Sequence, residues 1–390
     1  MKIGVNALFL IPGEVGGSQT YLIETLRAML RRYPQLQVVC FTNLENHTYL
    51  KTCFAAYPNA EQVRLKFRAE NRFVRILREQ FELPLKTPSK TIDVLWSPGY
   101  TAPMRASCPQ AVSVLDLQFK HHPEDFTLSA RLATNAMVRL AMRSADIVLT
   151  ISEFSKSELL RYTSLPASRI VVTPLAAADA FAEKISPDEL QERLNRLLPG
   201  VSRYILSVSN SYPHKNLDTL VNAFGILQKR IPHHLVIVGK PRRGEEKLRD
   251  ALSGLGDAGR CIRLQGVSQQ DLIALYQGAE LFAFPSLYEG FGLPVLEAMQ
   301  AGVPVVTTSM AAIPEVGGDF VVYAGRPDAE SFAATMLEVI QWNSTFRSNF
   351  IAAAKNWAKR FAWENTAEKT MQALIQAAKA HGRKGEPKFS

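Results

Sequence analysis

Two periodicities take turns along this chain. Short apolar runs stand at 3–11, 38–41, 94–96, 112–115, 147–151 and 170–172. Between several of them, at 20–32 and 128–143, apolar residues recur every three to four positions, the spacing of a helix face. Strands alternating with helices predict a parallel sheet joined by right-handed crossovers. A charged segment over 179–201 interrupts the alternation, with a helix-start signal at Ser186-Pro187-Asp188-Glu189 and a turn at Pro199-Gly200. The alternation then restarts, predicting strands at 204–208, 235–238, 261–264, 281–284 and 303–307, with helices at 216–229, 245–255, 269–277 and 294–300 between them. Beyond Asp328 the pattern is helical throughout, and Trp342, Trp357 and Trp363 are its packing anchors.

The expected fold class is therefore α/β, with two doubly wound, Rossmann-like parallel-sheet domains and C-terminal helices. A chain of 390 residues exceeds one ordinary core, in keeping with two domains. Their expected bounds are 1–185 and 202–345, with a linker at 186–201. Helices over 346–380 are expected to pack back toward the N-terminal domain, and 381–390 to form a disordered basic tail. Two such domains in tandem are expected to leave a cleft, and domain interfaces are common ligand sites.

Composition narrows the class. Hydrophobic residues make up 47% and charged residues 21%, as in globular proteins, and no apolar run is long enough to span a bilayer. The apolar start is broken by Pro12-Gly13 and reads as the first strand, not as a leader. Cys40, Cys53, Cys108 and Cys261 lack metal-ligand spacing and read as reduced cytosolic thiols. The net charge is +9, and much of the basic excess lies in 64–90. There Phe73, Ile76, Leu77 and Phe81 recur at helical spacing, with Arg68, Arg72 and Arg75 elsewhere on the turn. Such a helix either rests on anionic lipid or packs on a core with a solvated basic face. Stacking aromatics are not interleaved with the basic residues, which disfavours a nucleic-acid binder.

The richest stretch is Ser286-Leu-Tyr-Glu-Gly-Phe-Gly-Leu-Pro-Val-Leu-Glu-Ala-Met299. It follows an apolar strand and opens a helix, placing its loop at the carboxyl end of the strand, where open α/β sheets bind ligands. Gly290, Phe291 and Gly292 form a turn, and Pro294 suits a first helical position. Leu293 would be an N-cap without a side-chain oxygen, so the amides there are open to an anion. Glu297 is expected in the first helical turn, pointing back toward the same space as Glu289. A macrodipole role would account for Glu297 alone, but not for Glu289, the glycines and the missing cap together.

Three further places carry candidate chemistry. Gly13-Glu-Val-Gly16-Gly17-Ser-Gln-Thr20 lies between the first strand and helix, where backbone amides can cradle a phosphate or sugar. It is neither a dinucleotide Gly-x-Gly-x-x-Gly nor a P-loop. Ser209-Asn-Ser-Tyr-Pro-His214-Lys215-Asn216 follows the first strand of the second half. A lysine beside an already positive helix start implies an anionic partner such as a diphosphate. Asp116 ends a strand of the first half, ahead of His121 and His122. Adjacent histidines diverge in extended chain and make no metal pair, and neither metal-ligand spacing nor a Gly-x-Ser-x-Gly elbow occurs elsewhere.

Together these residues resemble the family 4 retaining glycosyltransferases of GT-B fold, in their mannosyltransferase-like branch. Glu289-x7-Glu297 resembles the family signature. Gly266-Val267, Ala301-Gly302-Val303-Pro304-Val305 and Ile313-Pro314-Glu315-Val316 resemble its C-terminal domain, and Pro213-His214-Lys215-Asn216 its Pro-Arg-Lys-Asn element. Gly16-Gly17 resembles its N-terminal glycine loop, and 97–103 with Leu115-Asp116-Leu117 resembles segments of the mannosyltransferases.

The resemblance implies that Glu297 binds the donor ribose. Glu289 with the amides of Gly290, Phe291 and Gly292 would hold the sugar. The Leu293 amide, Lys215 and His214 would hold the diphosphate, with Gly16 and Gly17 nearby, and Val267 would touch the base through its backbone. Glu289, Lys215 and Asp116 are the implied catalytic set. No metal and no cofactor is required, and retention is assigned to a front-side mechanism. Two departures stand out: Leu115 replaces a common histidine, and Ser209-Asn210 replaces an arginine, leaving Arg242 and Arg243 as other cations for the diphosphate.

The expected activity is transfer of a hexose, mannose from GDP-mannose first, to a lipid-linked or polysaccharide acceptor in surface polysaccharide synthesis. The expected setting is cytoplasmic, peripheral on the inner face of the cell membrane through 64–90. A GT-B epimerase would act without an acceptor, and a non-catalytic sugar-nucleotide or polysaccharide scaffold would bind without turnover. Nothing in the sequence sets the oligomeric state.

Overall fold

A computed structural model describes residues 1–87 and 91–384, excepting the side chains of 381–384. The chain forms two compact units. The first comprises Met1–Phe119, Leu128–Leu175 and the chain from Ala362 onward; the second comprises Lys120–Thr127 and Ala176–Phe361.

Among the described residues the first unit has seven strands: β1 (Lys2–Asn6), β2 (Gln37–Thr42), β3 (Ala60–Arg64), β4 (Val94–Ser97), β5 (Gln110–Ser113), β6 (Ile147–Thr150) and β7 (Ile170–Val172). They form one parallel sheet in the order β3-β2-β1-β4-β5-β6-β7. The second unit has six: β8 (Tyr204–Val208), β9 (His234–Val238), β10 (Cys261–Leu264), β11 (Leu281–Phe284), β12 (Val305–Thr307) and β13 (Val322–Tyr323). They are also all parallel, in the order β10-β9-β8-β11-β12-β13. Helices cover both faces of a parallel sheet, so central strands such as β11 are buried along their whole length and read as unbroken apolar runs. Each order reverses once, beside β1 and β4 in the first sheet and beside β8 and β11 in the second.

The expected division of the chain differs from the compact units in three places. The second unit starts at Ala176, ahead of 186, and the expected linker at 186–201 contains a helix, Pro187–Leu197, with Ser186 accepting the Glu189 amide at its N-cap. Residues Lys120–Thr127 leave the first unit and fold into the second. The terminal helices separate: Ser344–Ala358 belongs to the second unit, and Trp363–Lys384 to the first. That last helix runs through Lys384, into the segment expected as a tail; 385–390 lie outside the described residues.

The helix Trp363–Lys384 lies against the helix Gly17–Arg32 and against β4–β7. Its buried positions Trp363, Ala367, Thr370, Leu374 and Ala377 return every three to four residues and form one stripe. The ion pairs Arg32–Glu368, 2.9 Å, and Arg31–Glu364, 3.5 Å, are exposed at the edge of this contact and contribute little beside the apolar stripe.

The basic segment folds as the helix Arg72–Leu77, a π-turn Arg78–Glu82 and a helical turn Leu83–Lys86; Lys90 lies outside the described residues. One face is inward. Glu79 is buried and accepts from the Thr101 hydroxyl at 2.8 Å and from Asn6 Nδ2 at 3.2 Å; burial raises its pKa. The opposite face leaves Phe73, Phe81 and Leu85 exposed, at 71%, 68% and 78%. The apolar spacing therefore marks an outward stripe, while the inward anchor is a carboxyl group.

Leu374, fully buried in the last helix, supplies a check on this architecture. Leu374→Ala should destabilise the first unit by about 2–5 kcal/mol, read as a lowered urea midpoint. An unchanged midpoint would mean that the helix does not cover the first sheet.

Candidate functional site

The strongest grouping of polar residues lies at the carboxyl end of the second sheet. β8 and β11 are hydrogen-bonded neighbours at the point where strand order reverses, so the chain leaves them toward opposite sides and opens a crevice between their loops. The loop after β8 carries Lys215 and the loop after β11 carries Glu289. Lys215 Nζ lies 2.5 Å from Glu289 Oε1, and the two side chains are 17% and 12% exposed. The ammonium also sits 5.5 Å from the centre of the Phe284 ring.

Local structure aims both groups. Pro213–Lys215 forms a single 3₁₀ turn, and Asn216 turns left-handed, with φ 55°, before the helix Leu217–Leu227. Asparagine tolerates that conformation better than most residues. Lys215 thus precedes the helix by two residues. The loop is cross-laced to the one after β9: the Lys240 amide donates to Asn210 Oδ1 at 2.8 Å, and the Arg242 amide to Ser211 Oγ at 2.7 Å. Gly244 belongs to this lacing, since a Cβ there would lie 2.7 Å from the Ser211 carbonyl oxygen. On the other side, the Leu287 amide donates to the His214 carbonyl at 2.8 Å, tying the β11 loop to the β8 loop.

The helix after β11 spans Leu293–Ala301, and its N-cap is Gly292, with φ 111° and no side-chain cap bond. This shifts the expected start by one residue. Leu293 is the first helical residue, and the cap is missing because a left-handed glycine occupies the capping position. Its first turn holds no acidic residue, and the Val295 and Leu296 amides bond the Gly292 carbonyl, so the helix start offers the Leu293 amide and the positive end of its dipole. Gly290, Phe291 and Gly292 line this start, and Phe291 is buried edge-to-face against Phe361 at 5.6 Å.

With the start moved back by one residue, Glu297 is the fifth helical residue and falls just outside the first turn. The Tyr276 hydroxyl donates to Glu297 Oε2 at 2.9 Å. Burial pushes the Glu297 carboxyl up to about 7, against the opposing effect of the Tyr276 hydrogen bond. The Tyr276 hydroxyl is itself raised well above its ordinary value, by burial first and by Glu297 second.

The other expected residues fall into separate surroundings. Gly266 is left-handed, with φ 65°, and Val267 follows it on the way to the helix Gln269–Gly278. His214 is 4% exposed, and its Nδ1–H donates to Asp125 Oδ2 at 2.6 Å. In the first unit, Gly16 caps the helix Gly17–Arg32 with φ 52° and no side-chain cap, again a bare helix start, here after β1. Asp116 Oδ1 accepts the Gln118 amide at 3.1 Å, closing a turn after β5, and Leu115 is buried. His121 stacks on Tyr288 at 5.1 Å, and His122 bonds Glu124 at 2.8 Å. Asp125, Tyr276 and Tyr288 were not singled out from sequence. Their contacts join distant parts of the chain, and none sits in a spacing that marks it.

The raised Glu297 pKa makes a signed prediction. Between the ordinary carboxyl range and about pH 7, the folded protein keeps a proton that the unfolded chain has released. Stability should therefore fall as pH rises through that window and level off above it. Glu297→Gln should remove this slope. Urea unfolding of both proteins between about pH 5 and 8 checks it, and parallel profiles would contradict the assignment.

Comparisons with known proteins bear on both units. The family Glycosyltransferase Family 4 matches residues 15–177, and Glycosyl transferases group 1 matches 188–357. The chain is 36% identical over 236 residues to the O-antigen chain mannosyltransferase B of Escherichia coli, covering 60% of this chain and 61% of that one. It is 31% identical over 239 residues to the serotype-specific mannosyltransferase WbdA of Escherichia coli, covering 60% of this chain but only 29% of that protein. The match thus spans less than two thirds of either relative. Among solved structures, HepE of Anabaena, crystallised with UDP and glucose, superposes with a TM-score of 0.74 at 20% identity, over 96% of this chain and 99% of that one. That likeness is one of fold. With both halves matched and the GT-B fold shared, the chain belongs to the family 4, group 1 glycosyltransferases.

Proposed function

We propose that this chain is a retaining glycosyltransferase that moves a hexose, mannose first, from a nucleoside-diphosphate sugar to a lipid-linked or polysaccharide acceptor. The observation that carries the reading is the Lys215–Glu289 pair beside the bare helix start at Gly292–Leu293. Mannose and a surface-polysaccharide acceptor are supported by the names of the Escherichia coli relatives.

The donor diphosphate lies at the Leu293 amide, against the positive helix end, and Lys215 turns from Glu289 toward it. Charge develops on the departing diphosphate in the transition state, so donors already oriented at that position lower the barrier. Glu289, released from Lys215, accepts hydrogen bonds from the sugar hydroxyls, and the amides of Gly290, Phe291 and Gly292 help to hold the sugar. Glu297 accepts from the ribose hydroxyls, and Val267 meets the base through its backbone. Gly16 and Gly17 supply amides near the diphosphate, and Asp116 belongs to the catalytic set, with Leu115 in the place of the family histidine. The acceptor hydroxyl attacks the face that the diphosphate leaves, and a diphosphate oxygen takes its proton.

A lipid-linked acceptor fits the exposed stripe of Phe73, Phe81 and Leu85 in the first unit, flanked by exposed Arg68, Arg72, Arg78 and Lys86. Leu128 and Leu132 are exposed on the helix Leu128–Ser144, which is tied to the stripe by the Arg72–Thr134 hydrogen bond at 2.6 Å. Apolar side chains ringed by cations suit an anionic leaflet, which supports a setting on the cytoplasmic face of the membrane.

Two measurements test the reading. A thermal-shift screen of common nucleotide sugars should find a donor that raises the melting temperature. With that donor, Lys215→Ala should lower the transfer rate about 10²–10³-fold, and Glu297→Ala should weaken nucleotide affinity at least about tenfold. Binding of no nucleotide sugar, or full activity in Lys215→Ala, would refute the donor site. Separately, Phe73→Ser with Phe81→Ser should abolish sedimentation with phosphatidylglycerol vesicles while leaving nucleotide affinity unchanged. Undiminished vesicle binding would remove the membrane contact.

A further inference from the structure

We infer that Asp125 is a positioning residue for Lys215, acting through His214; this rests on the proposal that Lys215 binds a diphosphate. The segment Lys120–Thr127 belongs to the second unit although the residues on both sides of it belong to the first. Its 3₁₀ turn, Pro123–Asp125, packs on the Pro213–Lys215 turn. There the Nδ1–H of His214 donates to Asp125 Oδ2 at 2.6 Å, and both side chains are almost fully buried, 4% and 1% exposed. Tyr212 stacks on the His214 ring at 5.7 Å, and His122 lies across it at 5.6 Å.

The residue before Lys215 is thus held through both its ring and its backbone. Its ring is tethered by Asp125, and its carbonyl oxygen accepts from the Leu287 amide and, at 3.5 Å, from the Ser286 hydroxyl. Lysine is a point charge on a flexible four-carbon stem, so its reach depends on where the backbone holds that stem. With the turn anchored, the ammonium arrives beside Glu289, at the mouth of the bare helix start. The imidazole Nδ1 is occupied by Asp125, which makes His214 the link in this anchor. Loss of the tether leaves a buried imidazole without its acceptor and frees the turn to reorient.

The test compares wild type, Asp125→Ala and Asp125→Asn by calorimetry with GDP, UDP and the nucleosides guanosine and uridine. For the diphosphate that wild type binds, Asp125→Ala should weaken affinity about tenfold and change the matching nucleoside less than about twofold. Asp125→Asn, whose amide oxygen still accepts the Nδ1–H, should recover affinity to within about threefold of wild type. In a Lys215→Ala background, Asp125→Ala should cause no further loss, because the two substitutions remove the same contact. If Asp125→Ala does not fold, Asp125→Ser carries the same expectations. Diphosphate affinity unchanged in Asp125→Ala, or nucleoside affinity lost equally, overturns the positioning role while the donor site stands. Failure of wild type to bind either diphosphate removes the donor site and this inference with it.

Discussion

Lys215 and Glu289 are neighbours because β8 and β11 are neighbours. In a singly reversing parallel sheet, only the two strands at the reversal send their loops to opposite sides. The crevice between those loops is where backbone is absent and side chains can converge. The 2.5 Å ion pair lies at that point, and hydrogen bonds between neighbouring loops tie its two loops in place. The β9 loop laces the β8 loop through Asn210 and Ser211, and the β8 loop in turn receives the Leu287 amide. A partly buried charge pair contributes little net stability once desolvation is counted.

The helix start beside the pair follows a second constraint. Gly292 adopts a conformation that most side chains resist, and with glycine at the cap no side chain covers the helix start at Leu293. A cap from serine or aspartate would fill that position and close it to an anion. One turn on, Glu297 sits deep enough that its carboxyl is raised to about 7, and the hydrogen bond from Tyr276 only partly offsets that burial.

Much of this architecture was legible from the pattern of residues. Buried parallel strands are apolar on both faces, so β2, β8, β9 and β11 stand out as runs. β3 escaped because Ala-Glu-Gln-Val-Arg lies at the sheet edge and is only partly buried. β13 escaped because it has two residues. The stripe of Phe73, Leu77 and Phe81 was legible as a helix face but not as an outward one, since periodicity gives no sign of which side the core is on. Glu79, in the same segment, takes the inward place by finding Thr101 and Asn6 as partners.

By itself the sequence determined the two-sheet class, the strand-loop-helix setting of 281–301 and the residue types available for an anionic donor, because these depend on local pattern and chemistry. Pairings across the chain were decided by the tertiary structure: Lys215 with Glu289, Tyr276 with Glu297, and Asp125 with His214. The same holds for the passage of Lys120–Thr127 into the second unit and the return of the last helix to the first. These contacts span 21 to 89 residues and lack a periodic signature. They arise where strand order and helix packing bring distant loops together, and only there do burial and hydrogen bonding assign each side chain its role.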